Sequence, residues 1–150
     1  MWKYARYMQQ GISHRKRNVP CQDNVWIEED NDCIVAALAD GLGSLKNSEV
    51  ASQVATEAVC KTLLSKNNDL LKLAMVEQKA ALSREIVICA QEAVRKAAQD
   101  AAMNMAELDC TLVFVYISKK YNYAITGRLG DSAVCVVSHK KSIAINDGAN

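Results

Sequence analysis

An α+β architecture, with helices segregated to the faces of a β-sheet, is what this sequence predicts. Three observations carry that expectation. Strand-like, β-prone segments bounded by turn residues occupy the first forty residues and return after Cys110. Between them, from about Ser48 to Met105, apolar residues recur every three to four positions, the period of a helix lying on a core. The order is therefore strands, two long helices, then strands, which a Rossmann-type alternation does not produce.

Residues 2–8 alternate weakly and are expected to form a first strand. Gln9 to Asp23 is polar and holds Gly11 and the only proline, Pro20. Asn24 to Glu28 is β-prone, Glu29-Asp30-Asn31-Asp32 is a turn, and the apolar run Cys33 to Ala39 is a buried strand. The pair reads as an antiparallel hairpin. Ala51, Ala55, Ala58, Val59 and Leu63 then share a helix face, with Asn47 or Ser48 as cap and Glu49 at the positive end of the dipole. Lys66 to Asp69 breaks this helix. A second helix is expected from about Leu70 to Met105, interrupted near Leu82-Ser83, with Ile86, Cys89, Ala90 and Val94 on its apolar face. The period of two returns in Thr111 to Ser118, Tyr123 to Arg128, Ala133 to Val137 and Ser142 to Ile145. Turns are expected at 119–122 and 138–141, and Leu129-Gly130-Asp131-Ser132 interrupts between strands.

The 150 residues suit one domain, and a net charge of +1 gives no case for a nucleic acid or a membrane surface as partner. No apolar stretch is long enough to span a bilayer, and residues 1–20 lack a signal-peptide core. Four of the six cysteines fall inside apolar runs or helical patterns, where a thiol acts as a small hydrophobe, and no Cys-x-x-Cys pair suggests zinc. A reducing, cytoplasmic setting is expected.

Asp40 is the most informative position. It closes the apolar strand and opens Asp40-Gly41-Leu42-Gly43, so a carboxylate stands where a core strand surfaces and the backbone turns sharply. Asp23 precedes the partner strand, and Asp131 follows Gly130 between later strands. Such carboxylates either end strands at ordinary turns or converge at a sheet edge as hard-metal ligands.

Five ordered segments distinguish these readings. Gly11-Ile12-Ser13-His14, Pro20-Cys21-Gln22-Asp23, Ala37 to Gly43 with Glu49 to Ser52, Asp109 to Leu112, and Gly130-Asp131-Ser132 together resemble the metal-dependent protein phosphatases of type 2C, in particular the bacterial form. The resemblance covers nearly the whole chain. It implies a layered α-β-β-α sandwich holding two Mn2+ or Mg2+ ions at one end, with a third, weaker ion in bacterial members. Asp40 matches the carboxylate that bridges the metals, the Gly41 carbonyl matches a metal ligand, Asp23 the residue that holds a metal-bound water, and Asp131 a ligand of the third ion. Asp40 and Asp23 are thus the expected catalytic pair. Arg17, or alternatively Arg15, matches the arginine that grips the substrate phosphate. The implied activity is hydrolysis of phosphoserine and phosphothreonine in a phosphorylated protein by a metal-activated water.

Leu42 stands where animal members carry a histidine. Family members also draw further aspartates from later Asp-Gly and Asp-Asn motifs, and the sequence stops before either. Residues 1–150 are therefore expected to be the N-terminal part of a single catalytic domain, incomplete at the C-terminus, with poor metal binding and little turnover. A non-catalytic, protein-binding relative is the alternative. Sheet edges left unpaired would invite self-association.

Overall fold

The computed structural model describes residues 3–70, 76–121, 123–137 and 142–145. Its centre is the apolar run that forms β2 (Cys33–Ala39), preceded by a short helix α1 (Ile12–Lys16) and by β1 (Asn24–Glu29). Helices α2 (Ser48–Ser65), α3 (Asn67–Leu70) and α4 (Val76–Asp100) follow, then a 3₁₀ turn at Met105–Glu107 and strands β3 (Leu112–Ser118), β4 (Tyr123–Leu129), β5 (Val134–Val137) and β6 (Ser142–Ile145). Strands β1 to β4 make one antiparallel sheet in the order β1-β2-β3-β4, and β5 pairs with β6 in a second, two-stranded sheet. The fold is thus α+β.

Strand alternation decides which side chains meet the helices. Cys33, Val35 and Ala37 of β2 and Phe114 and Tyr116 of β3 lie in register on one face, and all are buried in the core cluster. Against this face pack α2, touching β1, β2 and β3, and α4, touching α2 and β4. The buried stripe of α2 is made of small residues, among them Ala51, Ser52, Ala55 and Thr56, which let the helix axis approach the sheet closely. Its hydroxyls are satisfied locally: Thr56 Oγ1 donates to the Ser52 carbonyl at 2.8 Å and accepts from Asn24 Nδ2 at 2.5 Å. On α4, Leu82, Ile86, Ala90, Val94 and Ala98 recur every four residues and are buried. Burying a side chain like Ile86 contributes roughly 1.5–3 kcal/mol.

The end of the sheet far from residue 40 is tied by polar contacts. Asp30 accepts from the backbone N–H groups of Cys33 at 2.7 Å and Asp32 at 2.8 Å, closing the β1–β2 turn. Partial burial pushes the Asp30 carboxyl up, but these N–H donors outweigh it and hold the group below its usual range. Asn67 donates to Asp30 at 3.2 Å and accepts from the Tyr116 hydroxyl at 2.5 Å, and the Tyr123 hydroxyl donates to the Leu70 carbonyl at 2.6 Å. The helix break is thereby fastened to the sheet.

Three expectations need correction. Lys3 to Gln10 forms no strand: Tyr4 and Tyr7 point outward, and the Val25 carbonyl on β1 accepts from the Arg6 side chain at 3.3 Å rather than from a neighbouring strand. Residues 1 and 2 lie outside the described ones. The second helix runs unbroken through Leu82-Ser83, because Leu82 is buried and Ser83 Oγ abuts Gly127 on β4, where no side chain competes. It stops at Asp100 instead of Met105, since Ala102 adopts a left-handed φ of 51°. The 138–141 turn lies outside the described residues.

Candidate active site

Residue 40 is positioned by hydrogen bonds on both sides of its strand. The Asp40 N–H donates to Thr111 Oγ1 at 3.0 Å, and the Thr111 N–H returns to the Asp40 carbonyl at 2.8 Å. The Gly41 N–H reaches the Gln22 carbonyl at 3.0 Å, and the Leu42 N–H reaches the Asp109 carbonyl at 3.0 Å. The turn is thus threaded between the residue before Asp23 and the segment entering β3. A Cβ at Gly41 would sit 2.6 Å from the Gln22 carbonyl oxygen and 2.9 Å from that of Ser48, so only glycine passes here. Beyond the turn, Ser48 Oγ donates to the Leu42 carbonyl at 3.1 Å and Gln22 Nε2 to the Leu45 carbonyl at 2.8 Å.

The β1–β2 register brings two carboxylates together. Asn24 pairs with Ala39, so the next step of the ladder sets Asp23 opposite Asp40. Like charges across a ladder repel, and here the effect is visible. Partial burial, a hydrogen bond with the Asp23 side chain, and the charges of Asp23 and Asp131 all push the Asp40 carboxyl above its usual range, while His14 opposes them. Asp131 comes from the other flank. Gly130, at a φ of 102°, turns the chain after β4 tightly against Thr111, and Ser132 Oγ lies 3.3 Å from Thr111 Oγ1. Thr111 therefore links the loops of Asp40 and Asp131. Asp131 acts on Asp40 through its charge, not through contact, and among the described residues no three His, Cys, Asp or Glu side chains stand close enough to hold a metal ion.

Asp40 to Gly43, Asp109 to Thr111 and Leu129 to Asp131 enclose an open cleft of about 500 Å³. A second pocket of about 300 Å³ between α2, α4 and β3 adjoins it, and the two share Asp109, Cys110 and Leu129. Burial, then the charges of Asp109 and Asp40, push the Cys110 thiol up to about 11, so it stays a neutral thiol near pH 7 and is no nucleophile.

The two arginines fare differently from the aspartates. Arg15 and Arg17 are both exposed, and Arg17 Nε donates back to the Ser13 carbonyl at 3.4 Å. Half-buried His14 instead turns inward, and its Nε2 lies 3.9 Å from where a side chain on Gly43 would begin. Neither His14 nor Thr111 carries a role in the sequence reading. Counting charge at neutral pH passes over an imidazole, and a threonine two residues after an aspartate has no signature of its own.

No helix among the described residues is long and apolar enough to cross a membrane. Neither the curated proteins nor the solved structures contain a match to the chain. The sequence model of the protein phosphatase 2C family, however, matches residues 10–146, a stretch that includes the Asp23–Asp40 pair, the glycine turn between them and α2, and the Asp131 loop, and the chain belongs to that family.

Proposed function

We propose that the chain carries the metal-binding half of a protein serine/threonine phosphatase centre, with Asp40 and Asp23 as its principal ligands. The observation that carries this reading is the placement of Asp23 opposite Asp40 at the end of a strand paired on both sides, at an electrostatic cost to Asp40. A divalent cation between the two carboxylates would remove that cost. The donor set fits a hard ion such as Mn2+ or Mg2+, being carboxylate and backbone oxygen, and the turn at Gly41 leaves no room for a side chain to block its approach. Asp40, Asp23 and the Gly41 carbonyl would hold the principal ions, and Asp131 a weaker one. When bound, such ions supply Lewis-acid activation of water and neutralise charge developing on phosphorus. The chain's own residues orient the site: Thr111 fixes Asp40 from both its N–H and its carbonyl, and the 500 Å³ cleft receives a phosphorylated serine or threonine of a protein substrate.

The same reading completes the architecture. On the sheet face turned away from α2, Val25, Leu38 and Val115 alternate with the core residues, and Leu38 is 42% exposed. A second sheet over that face, begun by β5–β6, would make the α-β-β-α sandwich. Burial of Cys33 and Cys60 as free thiols supports a reducing, cytoplasmic setting.

Calorimetric titration with Mn2+, alongside hydrolysis of p-nitrophenyl phosphate, tests the proposal. Mn2+ binding is expected, and Asp40→Asn should weaken it by at least about ten-fold and abolish any Mn2+-dependent hydrolysis. Equal Mn2+ affinity in Asp40→Asn would remove the assignment. Because no third carboxylate closes on the pair among the described residues, a non-catalytic relative is the second reading. Absence of Mn2+ binding would favour it.

A further inference from the structure

The carboxylates have a role in the reading above, but α1 presents a group that has none. Of the basic side chains in this stretch, Arg15 and Arg17 are exposed, whereas half-buried His14 brings Nε2 within 3.9 Å of where a side chain would begin on Gly43, which lines the cleft. Its backbone is held in a tight turn: the His14 carbonyl accepts from the N–H groups of Arg17 at 3.1 Å and Val19 at 2.9 Å. A second observation points to the same spot. Gln22 is 2% exposed, its Nε2 is committed to the Leu45 carbonyl, and its Oε1 has no hydrogen-bond partner. A side-chain carbon on Gly43 would stand 3.7 Å from Gln22 Oε1 and 3.9 Å from His14 Nε2, so the imidazole nitrogen and the unsatisfied acceptor both lie within 4 Å of one point beside the turn. A buried acceptor without a donor is destabilising, and a ligand hydroxyl would supply what is missing.

Building on the phosphatase reading, we propose that His14, rather than Arg15 or Arg17, contacts the phosphate of a phosphate monoester in this cleft. Nε2–H donates to a phosphate oxygen, and the P–OH of the monoprotonated ester, or the hydroxyl of the released serine or threonine, donates to Gln22 Oε1. His14 is then a substrate-contacting residue and Gln22 a partner that selects a ligand carrying its own proton.

The chain has only two histidines, His14 and His139, so imidazole nitrogen signals in long-range 1H–15N NMR spectra are assignable with a single His139→Gln variant. With the full chain and saturating Mg2+, inorganic phosphate is expected to shift the His14 signals and leave those of His139 in place. His14→Ala should weaken phosphate binding about ten-fold, while Arg15→Ala and Arg17→Ala change it less than about two-fold. Gly43→Ala guards against a folding artefact, since its methyl makes only ordinary contacts yet enters the space between Nε2 and Oε1. It should lower phosphate affinity with an unchanged melting temperature. Phosphate that binds undiminished in His14→Ala, that depends on Arg17, or that moves neither imidazole overturns the inference. Mn2+ line broadening separates this from the broader reading: broadening around Asp40 with an indifferent His14 sinks only the phosphate contact, whereas no broadening sinks the metal site itself.

Discussion

Asp40 pays for its position with its own ionisation. Its carboxyl titrates above the ordinary 3.8 because of burial and of Asp23 and Asp131, so the folded chain binds that proton more tightly than the unfolded one. The resulting stability is fully present below pH 3.8 and is lost as pH rises through the raised value, leaving the charged form a liability at neutral pH. We therefore predict that Asp40→Asn, in the absence of divalent metal, melts higher than the parent at pH 7. The gain should be less than about 1 kcal/mol after solvent screening, about 2–4 °C, and should vanish when the melts are repeated below the acid transition. A lower melting temperature at pH 7 would contradict the electrostatic account. Gly41 is constrained by backbone atoms that cannot swing aside, so Gly41→Ala should cost about 3 kcal/mol in urea unfolding, seen as a lower midpoint at constant slope. A midpoint within error of the parent would mean that the turn yields more than its contacts allow.

Among the elements, the hairpin and the later strands were readable because their information is local. β2 is bounded by Asp and Gly, and the alternation of β3 through β6 survives in sequence to within a residue or two at each end. The helix faces were readable for the same reason, since Ala51, Ala55, Val59 and Leu63, and Leu82, Ile86, Ala90 and Val94, recur at the spacing of one helical stripe. What sequence concealed was set by distant partners. Ser83 is tolerated in α4 because Gly127 sits beneath it, and the helix ends at an alanine in left-handed conformation where pattern reading seeks glycine. The aspartates at strand ends were visible as motifs, but the approach of His14 to Gly43 depends on how the loops around α1 and the glycine turn pack, which sequence does not show. Burial along α4 makes a sharp comparison. Ile86 is fully buried and Ile88 is 46% exposed. Ile86→Ala should destabilise by about 2–5 kcal/mol and Ile88→Ala by no more than about 0.5 kcal/mol in denaturant titrations. Similar losses for both would show that α4 is rotated from the orientation described.

At the scale of the molecule, stability should be uneven. β2 and β3 are paired on both sides and backed by helices, whereas among the described residues β5 and β6 pair with each other alone. Hydrogen exchange is expected to protect amides of β2 and β3 most strongly, to release those of β5–β6 at least about ten-fold faster, and to place α4 between them. Uniform protection across both sheets would indicate one cooperative unit. The bond from the Asp40 N–H to Thr111 spans 71 positions of sequence. Loop closure over such a span is slow, and both helices lie inside it. During synthesis, then, the carboxylate pair emerges from the ribosome early yet waits unsupported until the strand after Thr111 arrives. The centre takes shape only after both helices and the strand that follows Thr111 have been made.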